Sequence, residues 1–152
     1  MKDLLSIVSH FQLQGTVQEI NPLGAGLIND TYKVSTLEAD APDYVLQRIN
    51  HAIFQNVEML QANINAVTTH IRKKLEEKGE KDIERKVLHF FPADTGKTYW
   101  HDGESYWRVM AFIPNARTYE TVNPEYSYYA GVAFGNFQVM LADIPDKLGE
   151  TI

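Results

Sequence analysis

A glycine-containing loop between two predicted strands is the part of this chain best suited to chemistry. Gly24 and Gly26 stand in the sequence GAGLIND, which follows one strand-like run and precedes another. Because glycine has no Cβ, backbone N–H groups in such a loop can come close to a bound group. A chain of phosphates is the usual ligand of a loop of this kind. The pattern therefore predicts a phosphate contact between Gly24 and Asn29.

Composition limits the classes of function that are open to the chain. Its 152 residues are enough for one domain, or for one complete lobe of a larger protein. The net charge of −6 argues against nucleic acid or an anionic membrane as a partner, because both need a basic surface. The absence of cysteine excludes disulfides, thiolate zinc sites and a cysteine nucleophile. No signal-peptide-like start and no membrane-length apolar run occur, so we expect a cytoplasmic protein.

Hydrophobic periodicity and turn residues predict the elements that would position the loop. The expected order is a helix over Lys2–Phe11, strands over Gly15–Leu23, Asp30–Thr36 and Tyr44–Ile49, a helix from Val57 to about Lys78 capped by Asn56, strands over Val87–Phe91 and Tyr106–Ile113, and a helix over Tyr126–Leu141. This order predicts an α+β fold. Five antiparallel strands with one helix inserted after the third are the architecture of a protein-kinase-like small lobe, which would occupy residues 1–114.

The last predicted helix has no polar face. Its apolar side chains, such as Val132, Phe134, Phe137 and Leu141, point in nearly every direction, and a helix of this kind needs cover on all sides. We therefore expect that residues 115–152 form the exit from the lobe and the first helix of a missing large lobe. The other interpretation is self-association through residues 126–141.

Five segments of the chain carry a resemblance to a known family. They are GAGLINDTYKV, YVLQRIN, FQNVEMLQANINAV, SYWRVMAFIPNARTYE and AGVAFGNFQVMLADI, which span nearly the whole sequence. The chain resembles the start of bacterial N-acetylhexosamine 1-kinases, members of the aminoglycoside phosphotransferase and choline kinase superfamily. The resemblance implies the ATP-binding lobe of a small-molecule phosphotransferase that uses ATP and Mg²⁺ and has a sugar as its acceptor.

The resemblance also implies which residues contact the nucleotide. The loop over the ATP phosphates would consist of Gly24, Ala25, Gly26 and Asn29, and the adenine pocket would be lined by Met110, Ala111, Phe112 and Ile113. Considered without the resemblance, alternating apolar residues at the end of a strand suit a pocket and a protein core equally.

The chain departs from the kinase pattern on the third strand. Gln47 stands where kinases carry a lysine, and Arg48 follows it. Gln47 can give a phosphate only neutral hydrogen bonds, whereas Arg48 could supply charge and paired hydrogen bonds. However, strand alternation points Arg48 to the opposite face unless a bulge re-aims it. Both residues are therefore candidates for the phosphate contact.

The acid that kinases carry on the following helix also lacks a clear counterpart. Glu58 is the nearest acid in this chain. As the second residue after the Asn56 cap it could instead complement the helix dipole. Asn63, on the next turn, is a rival for the same position.

The residues that would catalyse phosphoryl transfer are absent from this sequence. The reaction needs an aspartate base, a following asparagine and an acidic magnesium-binding motif, and no His-x-Asp-x4-Asn sequence occurs here. We therefore expect no catalytic residue and no metal ligand in this chain, and no phosphotransfer by the chain alone. The Mg²⁺ ligands would belong to the large lobe. The alternative is a self-contained, non-catalytic α+β module that makes protein contacts.

Overall fold

The computed structural model of the chain describes residues 3–24, 29–114, 123–145 and 148–149. These residues form an α+β fold around one five-stranded antiparallel sheet. In chain order the elements are helix α1 (Leu4–Val8), strands β1 (Val17–Pro22), β2 (Asp30–Thr36) and β3 (Tyr44–Ile49), helix α2 (Val57–Glu77), a single 3-10 turn (Ile83–Arg85), strands β4 (Trp100–His101) and β5 (Tyr106–Ala111), and helix α3 (Pro124–Leu141). The strand order is β1-β2-β3-β5-β4. The predicted α+β class, the five-stranded antiparallel sheet and the position of α2 after the third strand are confirmed.

The fourth strand does not lie where the sequence predicted it. Residues Val87–Phe91 form no strand, and their backbone pairs with the sheet through a single bridge, between Phe90 and Met110. The fourth strand is β4, which pairs with the first residues of β5 across a tight turn. The Phe91 N–H donates to the Val109 carbonyl oxygen at 3.0 Å, but the next N–H on that side, that of Ala93, donates to the Lys97 carbonyl oxygen at 2.7 Å, so the pairing stops at one bridge.

Several element ends also differ from the prediction. α1 is only five residues long, because Phe11 leaves the helix and makes an antiparallel bridge to Ala93. β5 ends at Ala111, two residues before the predicted end. α3 begins at Pro124. Proline suits the first turn of a helix because the N–H groups of that turn have no acceptor within the helix. The Asn56 cap is confirmed, since its Oδ1 accepts the Met59 N–H at 3.0 Å.

Strand alternation divides the sheet into two faces. Tyr44, Leu46, Trp107 and Val109 point to the first face, where they pack with α1 in the main core. We call this the outer face. The residues between them, which include Val45, Gln47, Arg108 and Met110, point to the second face, which we call the α2 face because side chains of α2 contact it. Whether a side chain points to the outer face or to the α2 face therefore depends on its position in the strand.

α3 contacts the rest of the protein mainly at its end. Met140 and Leu141 pack on a small cluster formed by Ile71 and Leu75 of α2 with Val87. Other large side chains of the helix are exposed, as the sequence predicted. They include Tyr128 at 68%, Phe134 at 62% and Val139 at 69% of their surface. Within the described residues no helix combines the length and the apolar character needed to cross a membrane.

Candidate functional site

A row of polar side chains crosses the α2 face of the sheet. Thr31 of β2, Gln47 of β3 and Arg108 of β5 stand opposite one another in the strand register. Gln47 Nε2 donates to Thr31 Oγ1 at 3.1 Å, and Arg108 Nε donates to Gln47 Oε1 at 3.0 Å. Gln61 of α2 completes the row, because its Oε1 accepts a hydrogen bond from Arg108 Nη1 at 2.8 Å. We call these four residues the polar row.

Hydrogen bonds to Thr98 hold the Gln61 side chain in one orientation. The side chain is only 1% exposed. Its Nε2 donates to the carbonyl oxygen and Oγ1 of Thr98 at 3.2 and 3.3 Å, and Asn65 Nδ2 also donates to Thr98 Oγ1, at 3.0 Å. Since an arginine can only donate hydrogen bonds, the oxygen of the Gln61 amide must face Arg108. α2 therefore presents a fixed acceptor to the sheet.

Arg108 is a cation that has no acidic partner among the described residues. The five strands carry three Lys or Arg side chains, and two of them are paired with acids. Lys33 Nζ lies 3.9 Å from Asp43 Oδ2, and Arg48 Nη1 lies 3.0 Å from Asp30 Oδ2. Arg108 forms no such pair among the described residues, and its acceptors are the two neutral amide oxygens of the polar row. Burial lowers the pKa of Arg108 to about 10, which still leaves it charged at neutral pH.

Two residues further along the strands, about 7 Å away, the same face becomes apolar. Val45 and Met110 are opposite each other in the register and are buried together with Phe90. Phe112 is half-buried against them, and Lys33 Nζ lies 4.3 Å from the centre of its ring. We call Val45, Phe90, Met110 and Phe112 the apolar row. An aromatic ring among aliphatic side chains suits a planar, aromatic ligand group.

Two of the predicted adenine-pocket residues, Met110 and Phe112, belong to the apolar row. Ile113 is half-buried beyond the end of β5. The Phe112 N–H already donates to the carbonyl oxygen of Asp43 at 3.2 Å. The Phe112 N–H is therefore already occupied, and the edge of a bound base would have to bond other backbone groups.

The predicted phosphate loop is described only at its ends. Gly24 has a φ of +70°, which side-chain-bearing residues rarely adopt, and a Cβ added there would meet nothing within 4 Å. Asn29 Oδ1 accepts the Asn50 N–H at 2.8 Å, which ties the loop to the residue after β3. Ala25 and Gly26 lie outside the described residues. The described ends place the loop beside the start of β2, at the polar-row end of the sheet.

Of the two candidates on the third strand, only Gln47 joins the polar row. The register of β3 with β5 continues without a bulge through Arg48, so Arg48 points to the outer face. There its Nε donates to Ser105 Oγ at 3.0 Å, and its Nη1 pairs with Asp30. The structure therefore does not bring Arg48 together with Gln47.

The residue of α2 that reaches the polar row is Gln61, not Glu58 or Asn63. The exposed Glu58 carboxylate pairs with Lys97 Nζ at 3.0 Å, and this pair raises the pKa of Lys97. The Asn63 side chain bonds the backbone of Gly149, with Nδ2 donating to its carbonyl oxygen at 2.7 Å. The hydrogen bonds of Glu58 and Asn63 are thus made to partners other than Arg108.

The sequence prediction missed both Arg108 and Gln61. Arg108 is the only charged residue in the predicted strand YWRVMAFI, and it alternates in phase with Met110. Gln61 lies one turn after Glu58, between the apolar positions Leu60 and Ile64. A polar residue on the buried side of a helix and a lone charge on a buried strand are the signals that could have found them.

Of the residues in the two rows, only Gln61 lines a described cavity. One of about 440 Å³ opens on the outer face between Leu4, Tyr32 and Trp107, beside the Arg48–Asp30 ion pair. Another of about 220 Å³ lies between α2 and residues 96–99, behind Gln61. We place the candidate site on the α2 face because that face carries the cation that has no acidic partner among the described residues, at the end of the sheet where the loop begins.

No family model matches the chain. The likeness to N-acetylhexosamine 1-kinases therefore stays a prediction from the sequence. Among the described residues no group of three or more His, Asp or Glu side chains could hold a metal ion. A magnesium site, like the acceptor site, has no residues assigned to it in this part of the chain.

Proposed function

We propose that the chain is the ATP-binding lobe of a small-molecule phosphotransferase, with an N-acetylhexosamine as the acceptor. The observation that supports this proposal is the order of the two rows on the α2 face. The polar row lies at the end of the sheet where the glycine loop begins, and the apolar row lies toward the end of β5. A nucleotide has the same order, with phosphates at one end and an aromatic base at the other.

Each row supplies the contacts that its part of the nucleotide needs. Phosphate oxygens accept hydrogen bonds and carry negative charge, and the polar row has amide donors and one cation. The base is flat and apolar on its faces, and the apolar row offers Phe112, Val45 and Met110. Residues 1–114 would form the nucleotide-binding lobe, and residues 115–152 would lead into a large lobe with the catalytic base, the Mg²⁺ ligands and the sugar site.

Titration calorimetry with adenosine and ATP tests the proposal. Replacing Phe112 with alanine removes a ring from the apolar row. Loss of base–aromatic stacking is worth about 1–3 kcal/mol, so Phe112→Ala should weaken adenosine and ATP binding by the same factor, roughly 5- to 150-fold. Phe91→Ala is the matched control, because Phe91 is also half-buried but packs at the outer-face core, 5.1 Å from the Tyr44 ring. This control should leave both affinities unchanged.

Two outcomes would contradict the proposed function. One is that the wild-type chain binds neither adenosine nor ATP. The other is that Phe112→Ala and Phe91→Ala change the two affinities equally, which would mean that binding follows overall stability and not the apolar row.

The exposed face of α3 favours a second candidate function, a protein-interaction module. Tyr128, Tyr129, Phe134 and Val139 present large apolar surfaces on one helix. Patches of this kind on soluble domains commonly mark interaction sites. This candidate predicts no nucleotide binding, so the same calorimetric titration separates it from the first.

A further inference from the structure

We infer that Arg108 is the residue that binds the nucleotide phosphates, in the role that a third-strand lysine has in other kinases, and that Gln47 and Gln61 position its guanidinium. The inference rests on the proposed function and names the cation of that site. The sequence made Gln47 and Arg48 the candidates for this role. In the structure, the cation beside Gln47 is Arg108, on the neighbouring strand β5.

Arg108 has hydrogen-bond donors left over for a ligand. Its guanidinium has five N–H groups. Nε donates one to Gln47, and Nη1 donates one to Gln61. The described residues supply no acceptor for Nη2 or for the second Nη1 hydrogen. No side-chain nitrogen or oxygen in the described part is both fully buried and without a partner, so Nη2 retains some exposed surface. An anion could therefore reach it.

The partners of Arg108 orient its charge without neutralising it. Carboxylates at positions 47 and 61 would form ion pairs with the guanidinium and leave it little attraction for phosphate. The amide oxygens of Gln47 and Gln61 accept hydrogen bonds but carry no net charge. The guanidinium is thus fixed in direction, and its positive charge remains available to a second anionic group.

The other cations of the sheet are less suited to the role. Arg48 lies on the outer face and is already paired with Asp30. Lys33 lies on the α2 face, but it belongs to the apolar end of the sheet, where its ammonium group is near Phe112 and Asp43. Within the part of the chain that the structure describes, Arg108 is the one cation of the sheet that lies in the polar row and has no acidic partner.

Calorimetry with three probes tests the inference on the whole chain: ATP, adenosine and inorganic tripolyphosphate. Arg108→Met keeps most of the side-chain length and removes the charge and the donors. A hydrogen bond to a charged group is worth roughly a 10- to 100-fold change in affinity. We expect Arg108→Met to weaken ATP and tripolyphosphate binding by about this factor and to leave adenosine binding unchanged. Arg48→Met, which removes the rival cation, should change none of the three.

The outcomes separate the inference from the proposed function. If wild-type protein binds ATP and adenosine but Arg108→Met binds ATP as tightly as wild type does, the inference is wrong and the nucleotide site stands. If Arg48→Met loses the ATP affinity instead, the phosphate cation is Arg48. If the wild-type chain binds neither adenosine nor ATP, the proposed function fails, and the inference fails with it.

A spectroscopic readout on the unaltered chain covers the case in which Arg108→Met does not fold. In protein with ¹⁵N-labelled arginine, the Nε–Hε resonance that is missing from Arg108→Lys belongs to Arg108. This resonance should shift on addition of ATP or tripolyphosphate and stay in place on addition of adenosine. A resonance that does not move at saturating ATP would overturn the inference. If Arg108→Lys does not fold either, Gln47→Met assigns the resonance, because Gln47 Oε1 accepts the Arg108 Nε–H: the Nε–Hε signal that is protected from solvent exchange in the wild type and loses this protection in Gln47→Met belongs to Arg108.

Discussion

Replacing Gln61 with methionine tests whether the polar row holds α2 against the sheet. Methionine is close to glutamine in length and volume and is also a good helix former, so the change leaves no large cavity and costs little helix propensity. What it removes is the acceptor for Arg108 Nη1 at 2.8 Å and the donor to Thr98 at 3.2 Å. The effect on stability therefore reports on these hydrogen bonds.

The size of the effect follows from the partners that lose their bonds. A hydrogen bond to a charged group contributes about 1.5–3 kcal/mol, and a neutral one about 0.5–1.5 kcal/mol. Loss of both should lower the free energy of unfolding by about 2–4 kcal/mol. For a chain of this size that corresponds to a fall in Tm of about 4–16 °C.

Urea denaturation followed by tryptophan fluorescence measures the change, because Trp107 is only 1% exposed and reports on the core. Glu58→Met is the matched control: it introduces the same residue one turn earlier on α2, at an exposed position. Its loss of the exposed ion pair with Lys97 should change the stability little, because solvent screens such a pair. If Gln61→Met lowers the unfolding free energy no more than Glu58→Met does, Gln61 does not hold α2 to the sheet in the way described.

Two further predictions concern α3 and the turn after it. Asp143 accepts a hydrogen bond from Lys74 and lies 3.0 Å from His70 Nε2, and these partners hold the pKa of the carboxyl at about 2, below its ordinary value of 3.8. Because the folded-state pKa is the lower one, the stabilisation is present above pH 3.8 and is lost as the pH falls toward 2. Asp143→Asn should therefore have a lower Tm than wild type near neutral pH, and the difference in Tm between the two proteins should shrink as the pH falls toward 2. A difference that is as large at about pH 2 as at neutral pH would contradict this. The exposed side of α3 should bind a hydrophobic dye, and Phe137→Asp should reduce the dye fluorescence; equal fluorescence from both proteins would show that this surface is covered.

The strands β2 and β3 show how much of the fold could be predicted from local pattern. Both occur at the predicted bounds, Asp30–Thr36 and Tyr44–Ile49. Their apolar and polar residues alternate and turn residues flank them, so neighbouring residues decide their limits. The start of α2 at Val57 was predicted for the same reason, because the Asn56 cap acts within one turn.

β4 shows where local pattern fails. Val87–Phe91 has the composition of a strand, but whether it becomes one depends on a partner 20 residues away. Trp100 and His101 pair with β5 instead, because the short turn that joins them closes a small loop at low entropic cost.

The candidate site divides in the same way. The sequence by itself determined that Gln47 and Arg48 point to opposite faces, because successive side chains in a strand must alternate. It also determined that β3 carries no lysine. Only the tertiary structure decided which cation stands beside Gln47, because that depends on the register of β3 with β5. Gln61 and Arg108 are 47 residues apart in the sequence, and only the packing of α2 on the sheet brings their side chains together.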